Sequence, residues 1–344
     1  MAPSVEVERV IFNNNIPSSL LVELSGSLAK SSSYQITLNN ITDCLGNEIQ
    51  NATSFFALSE MPEGGEIKLS EVLFNPRSGG VDFIELYNDS DKYLNLKNWQ
   101  IGNANDSGEI DDSDFISNEV LVIGPNEYLV VTTDSNILLS NYPQGKSSTF
   151  IEILSMPSYP NDAGAVLLID QEGGIAESFF YDEDYHYNLL ESFEGVSLER
   201  VSFQEHVTSR DNWRSASSVE GFATPGYLNS QSLVSSNVQG KVSVNPEVFI
   251  PGNSGSGIDF TTINYQLTKS GQFANVIIYD QRGRLVKNLA EGVLLSTSGF
   301  FRWDGDTNSG QMARMGYHLI IFEIYDSNGN SEIIKETVVV GRDF

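Results

Sequence analysis

Residues 67–103 read IKLSEVLFNPRSGGVDFIELYNDSDKYLNLKNWQIGN. Short apolar-rich runs in this stretch are separated by Gly, Asn, Asp and Ser, which favour turns. Helical periodicity is nearly absent here and in the rest of the chain, and runs such as FANVIIYD (273–280) alternate with a period of two. Many short strands with frequent turn signals predict an all-β protein built from β-sandwiches.

The charge of the chain excludes several classes of partner. Its 344 residues include 46 Asp plus Glu against 19 Lys plus Arg, a formal net charge of −27. Such a surface repels nucleic acid and anionic lipid, and no cluster of Lys and Arg is evident in the sequence that would reverse this locally. No apolar run has the length of a membrane span, and residues 1–10 have no signal-peptide pattern. The simplest interpretation is a fragment of a longer polypeptide.

The residue types that usually carry catalysis are sparse. Cys44 is the one cysteine, which excludes an intrachain disulfide and a cysteine-based metal site. The three histidines, His186, His206 and His318, are far apart, and the sequence has no HExxH spacing, nucleophile elbow, phosphate loop or dinucleotide-binding fingerprint. We expect no catalytic residue and no cofactor in this chain.

Two stretches have the composition of linkers, SEMPEGGE (59–66) and NSQSLVSSNVQGK (229–241). They divide the chain into parts that we expect to be separate units at 1–60, 66–231 and 238–344. The first part has only four candidate strands. It is therefore either the rear half of a domain or a segment that packs on its neighbour to complete a sheet.

The middle part resembles the lamin-tail domain family, in the form common in secreted Bacteroidetes proteins. The resemblance spans 66–231 and depends on three ordered motifs. Residues 67–103 match the opening of the family, GPNEYLVVTTD (124–134) its central strand, and GVSLERVSFQEHVTSRDNWRSASSVEGFATPGYLNSQ (195–231) its closing signature. The resemblance implies an immunoglobulin-like β-sandwich that is not known as a catalytic fold.

The last part resembles the immunoglobulin-like domain of the flagellar hook-capping family, which recurs at the ends of secreted bacterial proteins. VSVNPEVFIPG (242–252), FRWDGDTNSGQMARMGYHLIIFEIYDSNGN (301–330) and KETVVVG (335–341) carry the match. Its place at the C-terminus is also similar to the sorting domains of type IX secretion substrates. SYQITLNNITDCLGNEIQNATSFF (33–56) resembles the rear strands of a bacterial Ig-like domain. Together these resemblances imply tandem immunoglobulin-like sandwiches.

Asp304, Asp306 and Asn308 are spaced like the start of an EF-hand calcium loop. An EF-hand is excluded, because its ninth and twelfth positions would be Met312 and Met315, which cannot bind calcium. Two interpretations stay open: a looser calcium site completed by backbone carbonyls, or a turn between strands. The hook-capping resemblance implies the turn.

A second acidic run, NANDSGEIDDSDFISNE (103–119), contains Asp111, Asp112 and Asp114. It is interpreted either as a solvated loop or as a cation-binding loop. The run YDEDYHYN (181–188) is interpreted as a contact surface for carbohydrate or protein, or as a charged strand edge that prevents aggregation.

Several side chains have predicted structural roles. Glu85 lies between two apolar residues of one strand and is interpreted as a solvent-facing acid or as the ion-pair partner of Arg200. Trp99 and Trp213 are expected in the core, each with a hydrogen-bond partner for its indole N–H. Alternation along FFRW predicts that Trp303 is buried.

One short helix is expected in DSNILLSNYP, capped by Asp134 or Ser135 and ended by Pro143. Apart from it, the helix content should be far below the average of globular proteins.

The sequence therefore predicts a non-catalytic region of a secreted or cell-surface bacterial protein. Its modules would act as spacers, in adhesion, or in binding protein or carbohydrate, and the C-terminal module would be recognised by the secretion machinery. Two alternatives remain: accessory domains of a secreted nuclease or phosphatase whose catalytic domain lies upstream, and a calcium-stabilised adhesin.

Overall fold

The computed structural model of the protein describes residues 4–12, 19–42, 45–233, 240–252 and 259–342. Cys44 lies outside these residues. Nearly all regular secondary structure in the described chain is β-strand, which confirms the predicted all-β class of immunoglobulin-like sandwiches. No helix in it is long and apolar enough to cross a membrane.

The N-terminal part consists of three small antiparallel pairs, β1 with β2, β3 with β6, and β4 with β5. Their bounds are β1 (Val7–Phe12), β2 (Leu20–Leu24), β3 (Ser33–Leu38), β4 (Ile41–Thr42), β5 (Glu48–Ile49) and β6 (Ala52–Ala57). Tyr34 is the buried hydrophobic side chain in this part, as far as it is described. Backbone hydrogen bonds of Glu60 with Tyr93 and Asn95, both 2.8 Å, connect it to the central part.

The central part is a sandwich of a six-stranded and a four-stranded sheet, with a separate pair of β12 and β9. Its elements are β7 (Ile67–Leu73), β8 (Phe83–Asn88), β9 (Leu94–Asn95), β10 (Gln100–Ala104), β11 (Ile110–Phe115), β12 (Val122–Ile123), β13 (Tyr128–Thr132), α1 (Ser135–Asn141), β14 (Phe150–Glu152), β15 (Ala163–Ile169), β16 (Ile175–Asp182), β17 (Leu198–Arg200) and β18 (Trp213–Ser215). The strand orders are β14-β13-β8-β7-β17-β18 and β11-β10-β15-β16.

The six-stranded sheet is buried on both faces. One face meets the four-stranded sheet in a core that includes Leu69, Leu86 and Trp213. The other face packs Leu73 and Phe83 in a smaller core with α1 and the segment that follows β18. Because side chains of a strand alternate between faces, residues at the centres of β7, β8 and β17 are buried whichever face they point to.

The short helix is where the sequence predicts it. The Asp134 carboxylate accepts hydrogen bonds from the N–H groups of Asn136 and Ile137 and so caps α1. The tryptophan predictions also hold, since the indole N–H groups of Trp99 and Trp213 donate to Gln171 and to the Val207 carbonyl.

The C-terminal part is a second sandwich, of a three-stranded sheet (order β19-β21-β24) and a five-stranded sheet (order β20-β26-β25-β22-β23). Its strands are β19 (Lys241–Asn245), β20 (Val248–Phe249), β21 (Thr261–Gln266), β22 (Phe273–Asp280), β23 (Leu285–Leu294), β24 (Ser298–Trp303), β25 (Gly316–Tyr325) and β26 (Ser331–Val340). Trp303 is fully buried in its core, whereas Phe300 is exposed, as alternation along β24 predicts.

Candidate functional site

Three glutamates form a row across the middle of the six-stranded sheet. Glu71 of β7 pairs in register with Glu85 of β8 on one side and with Glu199 of β17 on the other. Directly paired residues lie on the same face of a sheet, so the three carboxyl groups project together. All three side chains are completely buried. The interpretation of Glu85 as a solvent-facing acid is therefore wrong.

The segment after β18 covers this row, and we name residues 222–233 the closing segment. The backbone N–H of Thr224 donates to Glu71 at 2.9 Å, and the N–H of Gly226 donates to Glu85 at 2.7 Å. Gly226 has φ +91°, and a Cβ there would lie 2.3 Å from Thr149 Oγ1, so only glycine fits this turn.

The end of the closing segment binds the third glutamate. The Ser230 hydroxyl and the Gln231 N–H each donate to Glu199 at 2.8 Å. The glutamates thus replace the hydrogen bonds that this irregular stretch of backbone would otherwise make with water.

The hydrogen-bond geometry favours a proton on this cluster. The Thr224 hydroxyl lies 3.1 Å from a Glu71 oxygen and 2.8 Å from a Glu199 oxygen, but it carries only one hydrogen. A protonated carboxyl group would supply the hydrogen for the second contact. Among the described residues, Oε1 of Glu85 has no hydrogen-bond partner, which a buried carboxyl group tolerates better when it is neutral than when it is ionised.

The burial of the three carboxyl groups also favours their protonated form. Loss of solvation, with the neighbouring Glu199 carboxyl, raises the pKa of Glu71 to about 8. Burial raises the pKa of Glu199 to about 7 and that of Glu85 well above its usual range. Among the described residues, no Lys, Arg or His forms an ion pair with any of the three. The site is therefore a buried, proton-holding cluster.

The proposed pairing of Glu85 with Arg200 is wrong. Arg200 follows Glu199 in β17 and so points to the opposite face of the sheet. There Arg200 Nη1 lies 3.0 Å from both carboxylate oxygens of Glu177, which also accepts the Leu69 N–H at 2.6 Å. This buried ion pair joins the two sheets of the central sandwich.

The closing segment also contacts the C-terminal sandwich. The Gln231 side chain donates to the Leu295 carbonyl at 3.0 Å and accepts from the Gly271 N–H at 2.8 Å. Thr297 donates its N–H to the Ser230 carbonyl at 2.8 Å and its hydroxyl to the Ser232 carbonyl at 2.7 Å. Residues 229–232, predicted as the start of a linker, are buried between the two sandwiches instead.

The side chains of Asp304, Asp306 and Asn308 do not converge on a common point. Asp304 pairs with Arg302 at 2.7 Å, Asp306 pairs with Lys287, and the side-chain oxygen Oδ1 of Asn308 accepts the Asn288 N–H at 2.9 Å. Each candidate ligand in the loop between β24 and β25 thus has its own partner on a neighbouring strand, β24 for Asp304 and β23 for Asp306 and Asn308.

Asp111, Asp112 and Asp114 do not lie in a loop. They belong to β11, an edge strand of the four-stranded sheet, and Asp114 accepts a hydrogen bond from Ser155 at 2.9 Å. Across the described chain, no group of three or more His, Cys, Asp or Glu side chains has the arrangement of a metal site. Asp182, at the end of edge strand β16, pairs with Arg210 at 3.3 Å.

The histidines are separate in space as well. His186 is buried, its Nδ1 lies 3.0 Å from the Ser215 hydroxyl, and burial lowers its pKa to about 4. His206 is exposed and contacts Thr208, whereas His318 belongs to the C-terminal core.

A family model matches part of the central region. Residues 60–183 match the Lamin Tail Domain. This match confirms the lamin-tail resemblance for residues 60–183, an immunoglobulin-like region. The match ends before β17 and β18, which belong to the same sheet as β7 and β8 of the matched region.

No curated protein matches the chain. Among solved structures, the chain is similar to PorZ, described as an essential bacterial surface component of the type-IX secretion system of Porphyromonas gingivalis. The identity is 12%, the TM-score is 0.24, and the alignment covers 98% of this chain and 39% of that one. The chain thus spans well under half of the length of PorZ, and a TM-score this low does not establish a shared arrangement of sandwiches.

Sequence reasoning missed Glu71 and Glu199, although both stand in the motifs quoted above. The available signal was a single acid between apolar neighbours in a strand with two buried faces. That signal could be recognised only with the knowledge that the closing segment covers the second face.

Proposed function

We propose that the chain is a stiff, non-catalytic unit of a secreted or cell-surface protein, which spaces or presents the parts attached to it. In this proposal the units are 1–60, 66–231 and 238–344, and the last two act as one body. An immunoglobulin-like lamin-tail region with a second sandwich behind it suits a spacer role, in which geometry rather than chemistry is the function.

The observation that carries the proposal is the position of Gln231. Its backbone N–H binds the buried Glu199 of the central sandwich, and its side chain makes two hydrogen bonds with the backbone of the C-terminal sandwich. Separating the sandwiches would break the two side-chain hydrogen bonds of Gln231, each of which contributes about 0.5–1.5 kcal/mol net once water replaces the partner.

Aromatic contact supports the same conclusion. Tyr187 of the central sandwich meets Phe273 of the C-terminal sandwich edge to face, with ring centroids 5.7 Å apart. The Ser217 hydroxyl adds a hydrogen bond of 2.7 Å to the Leu294 carbonyl. The contact therefore combines apolar packing with satisfied polar groups, as stable interfaces do.

Backbone amide relaxation by NMR tests the proposal. Two coupled sandwiches tumble with one rotational correlation time, whereas flexibly joined ones tumble with two shorter times. We expect a single value for the native chain, and Gln231→Ala, which removes two of the hydrogen bonds between the sandwiches, should shorten it. Gln204→Ala is the matched control, because the exposed Gln204 side chain makes no contact between the sandwiches. Two distinct correlation times in the native chain would refute the proposal.

A further inference from the structure

Two adjoining cavities of about 70 and 260 Å³ lie at one end of the C-terminal sandwich. Both are lined by Asp280, Arg284, Arg314 and His318, and Arg282 also lines the smaller one. The sequence-based statement that no Lys or Arg cluster opposes the negative charge is therefore wrong here. The three arginines come from two separate turns, β22–β23 and β24–β25, which only the folded sandwich brings together.

The aspartate of this cluster is already neutralised. Asp280 Oδ2 accepts hydrogen bonds from Arg284 Nε and Nη2 at 2.8 and 2.6 Å, and Oδ1 accepts the backbone N–H groups of Arg282 and Arg284. These donors hold the pKa of Asp280 at about 2. In the described chain, the guanidinium groups of Arg282 and Arg314 have no carboxylate partner. Three arginines and one aspartate leave a local charge of about +2.

His318 adds a buried polar atom without a partner. Its side chain is 2% exposed, and Nδ1 lies 3.1 Å from the Gly316 carbonyl oxygen, which can only accept. Nδ1 therefore carries a hydrogen, and Nε2 is left with no hydrogen-bond partner. A buried, unsatisfied ring nitrogen beside a cavity is a feature that a bound ligand would explain.

We propose that this arginine pocket binds an oxyanion, the phosphate or carboxylate group of a small ligand. Guanidinium groups bind both anions through paired N–H donors. The Nε2 atom of His318 accepts a hydrogen bond from a protonated phosphate or takes up a proton with the anion. Because the chain as a whole has a charge of −27, the ligand is a small one and not a polyanion such as nucleic acid.

This pocket lies within the C-terminal sandwich, so the proposal does not depend on how the two sandwiches are joined. The full chain is titrated with sodium phosphate and, separately, with sodium acetate, against sodium chloride at equal ionic strength. Binding is followed by the ring resonances of His318, which are assigned with His318→Gln. We expect a saturable shift of these resonances with at least one of the two anions, and none with chloride.

Two variants distinguish a specific anion-binding site from non-specific electrostatic attraction. Arg314→Gln should weaken binding by about tenfold or more, because a charge-assisted hydrogen bond contributes at least that factor. Lys335→Gln removes one exposed charge from the same sandwich outside the pocket and should change binding less than about twofold. Both side chains are exposed, so both variants should fold.

The anion that binds more tightly, phosphate or acetate, indicates whether the natural ligand carries a phosphate or a carboxylate group. The proposal is wrong if neither anion produces a saturable shift of His318. It is equally wrong if Lys335→Gln weakens binding as much as Arg314→Gln.

Discussion

Trp303 is the largest side chain in the core of the C-terminal sandwich. It is fully buried, its indole N–H donates to the Asp306 carbonyl at 2.9 Å, and its ring meets Phe249 and His318 edge to face. Replacing Trp303 by Ala should cost about 3–5 kcal/mol of unfolding free energy, measured by denaturant titration.

Phe300 is the control for this substitution, because it is exposed on the opposite face of the same strand. Phe300→Ala should cost less than about 1 kcal/mol. Equal losses for the two variants would contradict the assignment of faces in β24.

Asp306 tests the remaining question about calcium. Its carboxylate pairs with Lys287 at a partly exposed position, so Asp306→Asn should cost less than about 1 kcal/mol. The melting temperature of the native chain should be the same in excess calcium and in chelator. A metal site would behave differently, since metal a hundredfold above its Kd adds about 2.7 kcal/mol. A melting temperature lowered by chelator and restored by calcium, with no such response in Asp306→Asn, would establish a site.

At the scale of elements, the closing segment and the three glutamates should respond to pH. A carboxyl whose folded pKa is raised stabilises the fold fully below its unfolded pKa, and the contribution is lost as pH rises through the folded pKa. For Glu71 the unfolded value is 4.5 and the folded value about 8. The contribution of Glu71 to the unfolding free energy should therefore decline from about pH 5 upwards and be lost above about pH 8.

Glu71→Gln isolates this effect, because glutamine is neutral at every pH and has nearly the shape of the protonated acid. The unfolding free energies of the variant and the native chain are measured by urea titration at pH 6 and at pH 8.5. The difference between them should shift in favour of the variant by on the order of 1–3 kcal/mol from the lower to the higher pH. Glu172→Gln, at an exposed turn, serves as the control. A difference between Glu71→Gln and the native chain that does not change with pH would contradict the protonated cluster.

Local pattern was enough to predict much of the secondary structure. Alternation placed Trp303 inside and Phe300 outside, and the capping rule placed α1 after Asp134. It failed for Glu85, because burial of that face depends on residues more than a hundred positions later. It failed for β11 as well, where acidic residues that favour loops in isolation are held in an edge strand by pairing with β10.

The arginine pocket shows the same limit of sequence reasoning. Arg282 and Arg284 share one turn and Arg314 lies thirty positions later in the sequence, and only the return of β25 beside β22 brings them to one site. A search for clusters along the chain cannot detect such a site, since the contact is set by strand register.

At the scale of the whole molecule, the N-terminal part should be the least stable. Its strands form isolated pairs, and side chains such as Leu45 and Phe55 are 85% and 71% exposed. Regions with few buried contacts open most often, so limited proteolysis should cut before residue 60 first and leave a resistant fragment of the two sandwiches. Initial cleavage between residues 60 and 233 would contradict this order of stability.

The central claim is that the closing segment makes one body of the central and C-terminal sandwiches. Its most direct test is the distance between spin labels at Ser107→Cys and Ser327→Cys, both exposed, in a Cys44→Ser background. Electron–electron double resonance should give a single narrow distance distribution, which Gln231→Ala broadens and Gln204→Ala leaves unchanged. A broad distribution in the chain with native Gln231 would show that the sandwiches move independently and would contradict the account.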